Sequence, residues 1–150
     1  MTELEQLLAR EQVREVVLAL FDWVDQGEWA LVAGLFADEV RWDLTAVAGG
    51  SPRLSDPDEL VGAWSEALAH LDAYHYQVGG VRAFLDSDDH ARASCGTLMA
   101  EHLLGEGTRV YAGSWRLGLV RSGARWVVGQ VVYQQAFSTT SAPPEDDELE

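Results

Sequence analysis

Cysteine is almost absent from this 150-residue chain: Cys95 is the only one. No intramolecular disulfide can form, and no second thiol is available to share a metal. Cys95 lies in an apolar, strand-like stretch, which fits an inert, partly buried thiol. Bases are scarce too, with 10 against 25 acids and a formal net charge of −15. That field repels phosphate backbones and anionic lipid surfaces, so nucleic acid is excluded as a partner. The opening MTELEQLLAREQ has acids among its first residues and no uninterrupted apolar run. It therefore reads as neither a signal peptide nor a membrane span, and the expected location is the cytoplasm. No repeat, glycine-rich linker or change of composition divides the chain. Also missing are a phosphate-binding loop, a GxSxG nucleophile and a GxGxxG following a strand. The histidines at 70, 75, 90 and 102 lack the HExxH spacing, and neither a metal nor a cofactor is expected.

What is present is the composition of one ordinary globular core, 47% hydrophobic and 23% charged. The C-terminal SAPPEDDELE carries five acids after two prolines, a composition that is solvated rather than packed. We read a domain over residues 1–137 and an acidic, disordered tail over 138–150.

Val13, Val16, Val17, Leu20, Phe21 and Val24 recur at helical spacing and predict an amphipathic helix that ends near Gln26-Gly27. A short helix through Trp29, Val32, Leu35 and Phe36 completes a hairpin. Val40 to Leu44 alternates like a half-buried strand. The stretch AVAGGSPRLSDP reads as a mobile loop. Ser55 or Asp56 can cap a third helix, with Pro57 in its first turn and Leu60, Val61, Trp64, Leu68 and Leu71 on its apolar face. From Tyr74 the helical period stops. Four strand-like runs follow, at 74–85, 90–104, 109–121 and 125–137, joined by short turns that imply antiparallel neighbours. Helices followed by a meander are an α+β order. Long strands with interior glycines bend, so a curved antiparallel sheet closed by three helices is expected to form a cone around a pocket for a small apolar organic molecule.

Asp25 lies four residues after Phe21, about 40° round the helix from an inward position. Two readings are open: a carboxylate ending the hairpin in solvent, or a partly desolvated general acid or base. His75, between Tyr74 and Tyr76, is either a pocket-facing imidazole or an ordinary exposed or structural histidine, and His102 presents the same choice. If all three converge, proton abstraction and redelivery become possible. His70 and His90 read as surface residues, and Asp22 as less inward than Asp25. Trp115 shares a strand face with Leu117 and Leu119 and either lines the pocket or fills the core. Tyr111, on the same face, can donate its hydroxyl to a bound carbonyl or point away. Phe21 and Trp42 complete the expected substrate-binding set.

The order of elements, with LFDWVDQGEWALVAGLFADEVRWDL, then YHYQVGG, then VYAGSWRLGLVRSGARWVV, resembles the nuclear transport factor 2-like (NTF2-like) superfamily over about residues 5–137. Within it the resemblance is to the SnoaL-like and scytalone dehydratase-like group. Asp25 stands where that group has its helix-ending aspartate, His75 where it has the partner histidine, and His102 where the dehydratase has a second histidine. The tyrosine preceding that aspartate is Val24 here, a second pocket tyrosine is Leu44, and the strand-borne asparagine falls at Ser114 or Trp115. The Asp and His core is kept and the water-positioning hydroxyls are not. The resemblance implies a cofactor-independent lyase, isomerase or cyclase acting by proton transfer on a cyclic, polyketide-like or hydroxylated aromatic molecule. His75 would be base, Asp25 its orienting partner and His102 an acid. The alternative is a non-catalytic ligand-binding or dimeric structural module. Members often pair through the exposed sheet face, so a homodimer is expected.

Overall fold

Thr2 opens the first helix by a reciprocal cap. Its hydroxyl accepts the Glu5 N–H at 3.1 Å, and the Glu5 carboxylate accepts the Thr2 N–H at 2.9 Å. In the computed structural model, which describes residues 1–48 and 50–141, α1 spans Glu3–Gln26 and ends at Gly27 with φ of 70°. That left-handed conformation suits a residue without a Cβ. Along α1 the predicted stripe is the buried one: Val13, Val17, Leu20, Phe21 and Val24 are all buried. The helix α2 (Trp29–Ala33) follows, then β1 (Phe36–Asp43), a one-turn α3 (Thr45–Ala48), β2 (Arg53–Ser55) and α4 (Pro57–Leu68). Of the two candidate caps, Asp56 starts α4 by accepting the Glu59 N–H at 2.8 Å.

The remaining strands are β3 (Ala73–Val78), β4 (Arg82–Leu85), β5 (His90–Leu103), β6 (Gly107–Ser122) and β7 (Arg125–Ser141). The expected first run of the meander is thus two strands, β3 and β4, both antiparallel to β5 and separated at Gly79–Val81. The last strand continues to Ser141, beyond Phe137, because its end is hydrogen-bonded in register with the start of β6, Thr108 opposite Ser141. Residues 142–150, most of the expected tail, lie outside the described residues.

Strand order is β2-β1-β7-β6-β5-β3, with β4 beside β5. Two expectations are corrected here. The sheet is mixed rather than wholly antiparallel, because β1 lies parallel to β7, with Trp42 opposite Val131. Short turns predict only the antiparallel pairs and are silent on a partner some 90 residues away. The stretch read as a loop also contains β2, which adds to β1 with Val40 opposite Ser55. It is fastened by a 2.7 Å hydrogen bond from the Trp42 indole to the Ser55 hydroxyl.

Irregular register between Ala112 and Gly113, and again between Gly118 and Leu119, bends the long β6–β7 pair, and the helices close the concave side into an unsealed cone. Its interior is filled with aromatic rings. Trp115 lies 4.7 Å from Tyr133, 5.1 Å from Phe21 and 5.6 Å from Trp64, stacked on the last at 19°. The Trp115 indole N–H is satisfied by the Thr97 hydroxyl at 2.9 Å. Gly113 is required by this packing, since a Cβ there would meet the Tyr133 hydroxyl at 2.3 Å. The outer face of β5–β7, which carries Arg92, Leu98, Ser114, Arg116 and Gln134, is exposed. Grooves of about 520 and 460 Å³ cross it.

Candidate functional site

The edge strand β3 leaves half of its main-chain groups without a strand partner, and α1 runs beside it. Hydrogen bonds tie α1 to β3 and to the connection that follows it. The Tyr74 hydroxyl donates to the Val24 carbonyl at 2.7 Å, Asp25 Oδ1 accepts the Tyr76 N–H at 2.9 Å, and Arg14 Nε donates to the Val81 carbonyl at 3.2 Å. Covering an edge with a helix prevents it from pairing with another chain. Sequence reasoning passed over Tyr74 and the Tyr76 amide. The signal lies in strand parity, which turns both aromatic side chains inward and the Tyr76 N–H toward α1.

The same geometry assembles a dyad. His75 Nδ1 stands 2.7 Å from Asp25 Oδ2. The imidazole side chain is 64% exposed and the carboxylate only 17%, so the ring meets solvent while its partner is sheltered. Among the described residues Nε2 of His75 has no partner. The carboxyl pKa of Asp25 is raised, chiefly because burial disfavours its charge. The Tyr76 N–H and His75 act against the rise, and the charge of Asp22 adds to it. Burial likewise raises the Tyr74 hydroxyl, reinforced by Asp25. Beside the dyad is a depression of about 250 Å³ lined by Leu18, Phe21, Asp22, Asp25 and His75–Val78. It lies between α1 and β3 and not inside the cone.

His102 takes a different place. It stands opposite Ala73 on β5, its Nδ1 is 2.9 Å from the Thr108 hydroxyl, and it makes no hydrogen bond to Asp25 or His75. Since His75 stands opposite Ala100, His102 is its diagonal neighbour on one sheet face, the two residues about 7–8 Å apart in such a register. Three of the expected substrate-binding residues are core residues instead of walls of an open pocket: Phe21, Trp42 and Trp115 are 1%, 5% and 2% exposed. Phe21 and Trp115 meet each other because the cone is narrow, whereas Trp42 is buried beside β2, its indole bonded to the Ser55 hydroxyl. Phe21 alone also borders the depression. Tyr111 spends its hydroxyl on Glu101 at 3.0 Å and accepts from Arg109 at 3.2 Å. His70 and His90 are exposed, and Cys95 is buried with its thiol pushed up to about 11 by burial. No helix among the described residues is long and apolar enough to cross a membrane.

Among solved structures, the hexachlorocyclohexane dehydrochlorinase LinA-type3 of Novosphingobium barchaimii matches with a TM-score of 0.79 at 16% identity, covering 95% of this chain and 100% of that one. A candidate scytalone dehydratase of Novosphingobium aromaticivorans matches with a TM-score of 0.78 at 11% identity over 93% and 91%. An NTF2-like protein with a cystatin-like fold from the latter organism gives 0.72 at 19% over 89% and 85%. These likenesses establish the NTF2-like cone. No individually curated protein matches the chain. The SnoaL-like domain model matches residues 5–132, and the chain accordingly belongs to the SnoaL-like domain family of NTF2-like proteins.

Proposed function

We propose that the chain is a cofactor-independent lyase, isomerase or cyclase that moves a proton on a small cyclic, polyketide-like or hydroxylated aromatic molecule in the cytoplasm. The observation that carries this reading is the 2.7 Å pair of His75 and Asp25. A carboxylate on Nδ1 keeps that nitrogen protonated and leaves Nε2 as the basic one. It also stabilises the imidazolium that forms when Nε2 takes a proton. A C–H of a substrate seated against Leu18 and Phe21 would lose its proton to Nε2. In an isomerisation or cyclisation His75 returns that proton to another carbon; in an elimination His102, on the neighbouring strand, protonates the departing oxygen and His75 releases its own proton to solvent. The relatives of known fold named for dehydration and dehydrochlorination agree with elimination chemistry, although fold alone does not fix a reaction.

The filled interior favours a second reading, a non-catalytic module that pairs with its own copy through the exposed sheet face. Proton exchange separates the two. Cyclohexanone incubated in deuterated buffer should exchange its α-protons faster with protein than without, and His75→Ala should lower that rate by about 10²–10⁴. Absence of catalysed exchange with cyclic ketones and with hydroxylated aromatics alike would leave the binding or structural module.

A further inference from the structure

Resting on that reading of the dyad, we infer that the depression beside His75 selects neutral or cationic substrates over anionic ones, and that Asp22 is the residue that sets the selection. Asp22 precedes Asp25 by three residues on α1, a spacing that places both carboxylates on one side of the helix, and both line the depression. Their situations differ. Asp25 is committed to His75 and the Tyr76 N–H, whereas Asp22 is exposed and has no hydrogen-bond or ion-pair partner among the described residues. When His75 is protonated it neutralises Asp25, and the charge of Asp22 remains; when His75 is neutral both acids face the substrate. No arginine lines the depression. The nearest on α1, Arg14, is held by the Val81 carbonyl at 3.2 Å and by Glu11 at 3.3 Å.

The rest of the lining says what does fit. Leu18, Phe21 and Val78 offer apolar surface, and Gln77, exposed on the same strand face as His75, offers an amide able to bond a carbonyl or hydroxyl without charge. A ketone, phenol, alcohol or amine is accommodated, while a carboxylate or phosphate meets like charge from Asp22, in a chain whose net charge of −15 already repels anions.

The field at His75 can be read without a substrate by alkylating its ring with two reagents of similar size, neutral iodoacetamide and anionic iodoacetate. Modification of His75 is followed by peptide mass spectrometry in the full-length protein, with exposed His70 and His90 as internal references. The wild type should favour the neutral reagent at His75 by about five- to thirty-fold more than at the references, the factor expected of one or two unit charges near 4 Å in water. Asp22→Asn should remove about half of that preference on a logarithmic scale, because the charge of Asp25 remains, and Asp22→Lys should bring the ratio close to that of the references. Raising salt from about 0.01 M to about 1 M, which shortens screening from about 30 Å to about 3 Å, should abolish it in the wild type. A reagent ratio at His75 that equals the references, or that ignores both substitutions and salt, overturns the inference. Because alkylation needs no turnover, a filter that passes this test while cyclohexanone fails to exchange would reject the catalytic reading and keep the selectivity.

Discussion

Asp25 accepts the main-chain N–H of Tyr76 at 2.9 Å through one oxygen, so the carboxylate proposed to orient His75 with its other oxygen also holds the edge strand to α1. A structural duty and a chemical one share a single residue, and substitutions that preserve one of them separate the two.

The first separation is by pH. The Asp25 carboxyl is raised above its ordinary value, mainly by burial. Between the unfolded value and the higher folded one the native state binds the additional proton, so stability falls as pH rises through that window and is greatest below it. Asp25→Asn removes the titration but retains an oxygen for the Tyr76 N–H. Urea unfolding midpoints measured from about pH 3.5 upward should show a decline in the wild type, relative to the variant, as pH passes from the unfolded value through the folded one. A difference that grows in the opposite sense would mean that the favourable bonds to His75 and Tyr76 outweigh desolvation.

Gly113 and Tyr133 form a second coupled pair. A Cβ at 113 would lie 2.3 Å from the Tyr133 hydroxyl and 2.5 Å from its ring carbon, so Gly113→Ala must displace the ring from its 4.7 Å contact with Trp115. Overpacking of this kind costs about 1–3 kcal/mol. Tyr133→Phe deletes the nearest atom and leaves the ring carbon in place, and it should relieve only part of the cost. The double-mutant cycle in urea should therefore show clear coupling. Simple additivity would mean that the ring moves aside freely.

What could be read from the sequence divides along the same line between local and distant causes. The helical period of Val13 to Val24, the stop at Gly27 and the inward parity of Trp115 are properties of a few adjacent residues, and all three are found in the structure. The parallel contact of β1 with β7 and the addition of β2 are not local: they depend on chain segments far apart, and β2 is only three residues long in a stretch rich in turn formers. The position of Asp25 beside an inward stripe was legible. That the dyad would stand at the rim, with the cone filled behind it, depends on how the rings of Phe21, Trp64, Tyr76, Trp115 and Tyr133 pack together, which spacing does not encode.

The outer sheet face is the proposed surface for pairing with a second copy. Leu98 is 50% exposed there, amid small residues and beside two grooves. Light scattering on a sizing column should give a dimer mass for the full chain, and Leu98→Asp should shift it to a monomer without changing the far-ultraviolet circular dichroism. A wild type that stays monomeric across the concentration range would remove the dimer and leave this face free.

The edge contact itself is open to hydrogen exchange. In the wild type the Tyr76 amide is bonded to a carboxylate that is mostly shielded from water, and that of Gly79 is bonded to the Gly96 carbonyl at 2.8 Å within the sheet. Asp25→Ala leaves the Tyr76 N–H without its acceptor on an edge strand, where removal of a partner costs about 1–3 kcal/mol. Exchange at Tyr76 should accelerate strongly, and exchange at Gly79 only by the smaller factor that global destabilisation imposes on every amide. Asp25→Asn, which keeps an acceptor oxygen, should protect Tyr76 to an intermediate degree while still losing the charge that His75 requires. Equal acceleration at Tyr76 and Gly79 in the alanine variant would show that Asp25 stabilises the domain without anchoring this strand. Unequal acceleration, together with ketone exchange lost in both variants, would assign the anchoring to the oxygen and the chemistry to the charge.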